Sequence, residues 1–289
     1  MTFGGAQRVK LLLQLSVLSF CCSSAAALTR APQGHVLSHE RRLRQQGFTV
    51  LQHVLNAEEA ADVKEILERA EQSAGRVELH GDLPQQVRVP SILVHHQVFA
   101  ELLLHPAVLA IVQRLLHDDF RCATWSSNTL LPSMATPALG WHVDYPYHDI
   151  SPPWPQDTLS VQVLWLLDNF TEHNGATMFL PDSHSWLRQP DYDFSTPQQS
   201  QLLLAPAGSV LIAHGAWWHR QTPNLSPLSR SALLASFCRA FVVPKADMEG
   251  QLMEMQTSAL TDRLAAFQQE RLQYLLLGQH KRGLRNVHA

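Results

Sequence analysis

The chain has 289 residues, 45% of them hydrophobic and 16% charged, enough to bury a full core as one large domain and unlike a disordered or fibrous protein. A net charge of −3 offers no electrostatic basis for a nucleic-acid or anionic-membrane partner, so a small-molecule substrate is the expected partner. The pattern sets no oligomeric state.

Arg8 and Lys10 precede an apolar run from Leu11 to Phe20, and CCSSAAAL ends in small residues with Ala25-x-Ala27 as a cleavage site. This layout predicts a removed targeting segment over residues 1–27. The run is too short for a comfortable membrane span, so no stable anchor is expected. No Asp or Glu precedes Glu40, so an organellar destination suits the segment as well as the secretory pathway. Cys122 and Cys238 remain in the mature chain at no metal-type spacing, which predicts two buried thiols.

VLSHERRLRQQG predicts a short helix stopped at Gly47, and FTVLQHVL a strand. Asn56 then opens a helix with Glu59 three residues on, and Gly75 ends it. Phe99 to Leu116 carries a continuous helical pattern, with Leu102, Leu103, Val108, Ile111, Val112 and Leu115 on one side. His117 and Asp119 follow it, but at a helix end they point apart and are not a ligand pair.

After Phe120 the texture changes. RCATWSSNTLL, TLSVQVLWLLDNF, ATMFLP, SVLIAHGAWWH and SALLASFCRAFVV read as strands separated by turn residues, a β-sandwich or barrel with helices packed outside. From Ala246 the tail reads as one or two amphipathic helices with a Met and Leu packing face. There is no internal repeat and no linker between folded domains.

GWHVD places His142 and Asp144 two apart, so in an extended segment both face the same side. A bare H-x-D is weak. A facial triad of two imidazoles and one carboxylate, with open positions beside it, is typical of non-haem Fe(II) oxygenases. GSVLIAHGAWWHRQTPN offers His214 and His219 for the second imidazole, and the residue pattern alone favours neither.

Four blocks decide between them: GFTVLQHVLNAEEA, GWHVD, NGATMFLPDSH (similar to G-A-T-x-x-x-P-G-S-H) and WHRQTPNLSPLSR (similar to W-H-x-x-x-P-N-x-S-x-x-x-R). In this order, over roughly residues 45 to 245, they resemble the phytanoyl-CoA dioxygenase family of Fe(II)- and 2-oxoglutarate-dependent oxygenases. The resemblance implies an α+β fold, a double-stranded β-helix (jelly-roll, cupin-like) barrel with flanking helices. The domain would span 36–245 and a helical extension 246–289.

It further implies that His142, Asp144 and His219 bind Fe(II), and that Arg230, eleven residues after His219, holds the distal carboxylate of 2-oxoglutarate. Thr177 and Asn128 occupy inward-looking positions that would reach the cosubstrate. Many members carry a small hydroxyl residue two positions after the distal histidine; here Gln221 stands there with Thr222 next, and either would assist Arg230. Asp182 replaces the turn glycine of P-G-S-H, a change Asp tolerates in the left-handed conformation.

The implied reaction consumes 2-oxoglutarate and O2, releases succinate and CO2, and hydroxylates a C–H bond of a small organic or lipid-like substrate. Halogenating relatives leave the carboxylate position empty, and Asp144 argues against that chemistry. Trp141, Tyr145, Tyr147 and Trp154 would line the substrate entrance, and no basic cluster near the motifs marks a CoA phosphate site. Two other classes stay open: a metal-binding member of the fold without turnover, and a zinc hydrolase, for which His, Asp and His also suit an open site.

Overall fold

The computed structural model describes residues 33–80, 83–132, 140–190 and 195–285. The expected targeting segment, 1–27, lies outside the described residues.

Helix α1 (Gln33–Gln46) ends at Gly47, whose φ of 82° suits glycine. Strand β1 (Phe48–Leu51) is half as long as its apolar run suggests. The left-handed His53, φ 56°, turns the chain, and the Leu55 amide donates to the Gly208 carbonyl instead of extending a ladder. Helix α2 (Ala57–Ala74) starts as expected: Asn56 Oδ1 accepts from the Glu59 amide at 2.9 Å, and the Glu59 carboxylate accepts from the Asn56 amide at 2.8 Å. Its buried stripe is Ala60, Val63, Leu67 and Ala70.

Strands β2 (Arg76–His80) and β3 (Leu83–Arg88) follow. The continuous helix expected from Phe99 to Leu116 is two helices, α3 (Gln97–Leu103) and α4 (Pro106–Leu116), bent by 46°. Pro106 has no amide to continue the ladder and pushes His105 out of helical geometry (φ −57°, ψ 119°), which makes it the first residue of a new helix. Among the described residues no single helix is long and apolar enough to cross a membrane. The bent pair α3 and α4 passes by length and composition together, and its apolar residues Val108, Ile111, Val112 and Leu115 are buried in the core.

The β half comprises β4 (Phe120–Leu130), β5 (Ser160–Leu166), β6 (Thr177–Phe179), β7 (Gln201–Leu202), β8 (Val210–His214), β9 (His219–Gln221) and β10 (Arg230–Arg239). They form a seven-stranded sheet ordered β1-β8-β5-β10-β4-β3-β2 and a three-stranded sheet ordered β7-β6-β9, every strand pair antiparallel. The α+β class is as expected, with the jelly-roll expressed as two facing sheets rather than a continuously closed barrel.

Alternation along the strands makes three layers. Val161, Val163, Trp165, Leu233, Ala235 and Phe237 face the helices, and the Trp125 indole donates to the Phe99 carbonyl at 3.1 Å. The opposite face, through Leu166, Leu211, Ala213 and Ala232, meets Phe179 and Trp217 between the sheets. The tail forms α5 (Met248–Thr257) and α6 (Ala266–Arg285), whose Met255, Leu272 and Leu275 are buried in the main core, so the expected packing face is used within the chain. Cys122 and Cys238 are buried free thiols, as expected.

Candidate metal centre

His142 and His219 are joined by their backbones before their rings meet. The His142 amide donates to the His219 carbonyl at 3.0 Å, and the His219 amide donates back at 3.1 Å. The Asp144 amide donates to the Gly215 carbonyl at 3.0 Å. The 140–144 segment is therefore docked against the start of β9 by an isolated antiparallel bridge between His142 and His219. His219 opens β9 instead of ending the preceding strand, which stops at His214.

The ring centroids of His142 and His219 lie 4.2 Å apart, and Asp144 Oδ2 is 3.5 Å from His219 Nε2. One ligand atom from each of the three lies within 4.8 Å of the others. His142 Nδ1 sits 3.0 Å from the Gly140 carbonyl and His219 Nδ1 3.2 Å from the Trp217 carbonyl. A carbonyl only accepts, so both Nδ1 atoms carry the proton and both Nε2 lone pairs remain for a cation. Burial, reinforced by the neighbouring His219 and opposed by Asp144, draws His142 down to about 4, which keeps it neutral at pH 7.

The three residues stand at a cavity of about 260 Å³ between the two sheets. Leu164 pairs with Leu234 across β5 and β10, Ala232 pairs with Asn128 across β10 and β4, and Thr177 pairs with Gln221 across β6 and β9; all six line the cavity. Arg230, 3% exposed, enters from the first residue of β10. Its Nη2 donates to the Gly175 carbonyl at 2.6 Å, its guanidinium lies 4.2 Å from the Phe170 ring centroid, and its Nε is buried without a partner. Burial draws Arg230 down to about 9, with Asp168 opposing. Among the described residues no carboxylate lies within ion-pair distance of it.

All seven expected site residues, His142, Asp144, His219, Arg230, Thr177, Gln221 and Asn128, line this one cavity. Asn128 Oδ1 is buried without a partner. Thr222, the alternative to Gln221, is not among the residues that line the cavity, and its hydroxyl donates to the Ala176 carbonyl at 2.7 Å. His214 is a core residue whose Nδ1 accepts from the Ala216 amide at 3.0 Å, and burial drives it down to about 3. His117 and Asp119 join no metal-type group among the described residues.

The aromatic entrance is a correction. Trp141, Tyr147 and Trp154 are buried in a separate cluster with Val143, Leu180 and Trp218, and Tyr145 donates its hydroxyl to the Val243 carbonyl; none of the four lines the cavity. They brace the 140–154 segment instead. Asp182 does adopt the left-handed turn, φ 60°, and Ser183 after it bonds both the Leu180 carbonyl and the Trp218 amide, fixing the approach to His219.

Arg88, His148, Gln162 and Trp217 also line the cavity and were not expected there. Gln162 left a signal, a lone amide inside the apolar run SVQVLWL. Arg88 left a weaker one, a charge in phase with Gln86 on β3.

The family model for phytanoyl-CoA dioxygenase (PhyH) matches residues 43–232. The chain belongs to the phytanoyl-CoA dioxygenase family. A dioxygenase of Aspergillus fumigatus, af480, is 26% identical over 210 residues, covering 70% of this chain and 66% of that protein, just under two thirds of its length. Among solved structures, the epimerase SnoN in complex with Fe3+, alpha ketoglutarate and nogalamycin RO superposes with a TM-score of 0.61 at 17% identity, covering 74% of this chain and 88% of SnoN. HygX from Streptomyces hygroscopicus, with nickel and 2-oxoglutarate bound, superposes with a TM-score of 0.55 at 16% identity, covering 72% and 88%. At these identities the two structures speak for the fold.

Proposed function

We propose that this phytanoyl-CoA dioxygenase family member is an Fe(II)- and 2-oxoglutarate-dependent oxygenase that hydroxylates a C–H bond of a small organic substrate. The observation that carries the reading is a buried arginine, with no carboxylate partner among the described residues, in the same cavity as the His142, Asp144 and His219 cluster.

The residues present fit both groups. Two imidazoles with Nδ1 protons held by carbonyls, plus one carboxylate, make a donor set suited to non-haem Fe(II). Arg230 offers a planar fork whose Nε has no partner, suited to the distal carboxylate of 2-oxoglutarate. When bound, the metal with 2-oxoglutarate and O2 supplies the oxidising power for hydroxylation, with succinate and CO2 as products.

The chain's own contribution is orientation and exclusion of water. Arg230 sets the cosubstrate's direction, while Gln221 and Thr177, paired across β9 and β6, present polar atoms beside it. Leu164, Leu234, Ala232 and Trp217 make the dry wall, which strengthens every charge interaction inside. Asp144 occupies the carboxylate position that halogenating relatives leave empty.

The test is succinate release from 2-oxoglutarate under air by full-length protein supplied with Fe(II) and ascorbate. The account expects turnover that disappears in Asp144→Ala. Iron and 2-oxoglutarate binding without any succinate would establish a non-catalytic binding protein, and metal-dependent hydrolysis without O2 would establish a zinc hydrolase.

A further inference from the structure

The two outer strands of the seven-stranded sheet are guarded differently. β2, at one edge, carries Arg76 and Glu78 and has an irregular register at Glu78 and Leu79, devices that discourage further pairing. β1, at the other edge, reads FTVL and has no charge, no proline and no break in its register with β8.

The inward bonds of β1 fix which of its groups face outward. The His214 amide donates to the Gly47 carbonyl at 2.8 Å, and the register continues through Phe48 and Ala213. Bonded pairs alternate along an antiparallel ladder, so Thr49 and Leu51 turn their backbone groups to β8 while Phe48 and Val50 turn theirs away. Among the described residues, the outward N–H and C=O groups of Phe48 and Val50 have no partner.

Beside this edge runs a groove of about 600 Å³, walled by β1 and by His35, Ser38, His39, Arg42 and Gln46 of α1. These five recur every three or four residues and form one stripe of the helix. The stripe is fixed to the strand: His39 Nδ1 lies 2.7 Å from Thr49 Oγ1, and both residues are buried. No Asp or Glu lines the groove, and Arg42 makes no ion pair among the described residues. A strand laid between an unpaired sheet edge and a helix draws affinity from main-chain bonds and specificity from its side chains.

We infer that β1 and α1 form a docking site for an extended peptide of about five residues, which adds to the sheet at Phe48 and Val50 and sets an acidic side chain on Arg42. The four residues of β1 set that length. A second copy pairing through its own β1 fits less well, because QGFTVLQH brings no acid to Arg42.

Full-length protein is titrated with acetyl-Thr-Val-Glu-Val-Thr-amide, with its Gln and Lys counterparts at the central position, and with a fully N-methylated form of the Glu peptide, following backbone amide shifts by NMR. The expected result is shifts centred on Phe48 and Val50, an affinity for the Glu peptide about threefold to tenfold above that for the Lys peptide, and no binding of the N-methylated form. Val50→Pro removes an outward donor and no ladder bond, so it loses peptide binding while keeping the wild-type circular dichroism. Arg42→Glu, an exposed substitution that carries the test if Val50→Pro does not fold, reverses the preference from Glu to Lys.

Failure of the wild type to bind any unmethylated peptide, equal binding of the N-methylated form, or a Glu preference that persists in Arg42→Glu overturns the inference. A dimer in sedimentation that Val50→Pro dissolves assigns the edge to a second copy and also overturns it.

Discussion

Replacing Arg230 with Gln separates binding from folding at this site. Arg230 is 3% exposed and among the described residues makes one hydrogen bond, Nη2 to the Gly175 carbonyl, with Nε buried and unpaired. A buried cation so poorly compensated contributes little to the empty protein, because its desolvation offsets that one bond. Arg230→Gln is therefore expected to melt within about 1 kcal/mol of wild type. With 2-oxoglutarate present, the variant loses charge-assisted bonds of about 1.5 to 3 kcal/mol, which is about a tenfold to hundredfold rise in Kd. Calorimetric titration of 2-oxoglutarate into anaerobic Mn(II)-loaded protein measures it, with Arg230→Lys expected between the two because a point charge replaces a fork. An unchanged Kd in a folded Arg230→Gln protein would refute the assignment.

Gly175→Ala should weaken 2-oxoglutarate binding without touching a cavity residue. At φ 79° a Cβ there would lie 2.3 Å from Leu130 Cδ1, shifting the carbonyl that holds Arg230 and costing about 1 to 3 kcal/mol of stability; unchanged affinity and melting would count against that coupling. Acid should destabilise the fold through His214. Folded His214 is held at about 3 against an ordinary 6.5, so its contribution is complete above pH 6.5 and is lost as pH falls below it. By pH 5 the loss is about 2 kcal/mol, read by urea unfolding at pH 7.5 and 5. His214→Gln should reduce that pH dependence by the same amount, and an identical profile would disprove the link. Asn56→Ala should cost about 1 kcal/mol by removing the α2 cap while leaving metal and cosubstrate binding unchanged; a change in either would show that α2 is coupled to the site.

What could be read from the residues was local or in register. The Asn56 and Glu59 box, the Gly47 stop and the Asp182 turn each depend on a few neighbouring residues. The spacing of Arg230 from His219 spans one loop between β9 and β10. The choice between His214 and His219 was not open to such reading, because it depends on the turn between them. There the Trp217 amide donates to the His214 carbonyl and the chain leaves the large sheet for the small one. Arg88 was hidden for a similar reason: only the strand order β10-β4-β3 brings it to the cavity. The aromatic residues around Tyr147 were misplaced because their burial comes from distant partners, Leu180 and Trp218. Pro106 alone was a local signal overridden by a strong apolar period on both sides.

The most direct measurement is an anaerobic titration of Fe(II) and 2-oxoglutarate into the full-length protein, following the visible metal-to-ligand charge-transfer band. The account predicts a band that is lost in His142→Ala and in His219→Ala and kept in folded His214→Ala. A band that survives both ligand substitutions, or disappears only in His214→Ala, would contradict it.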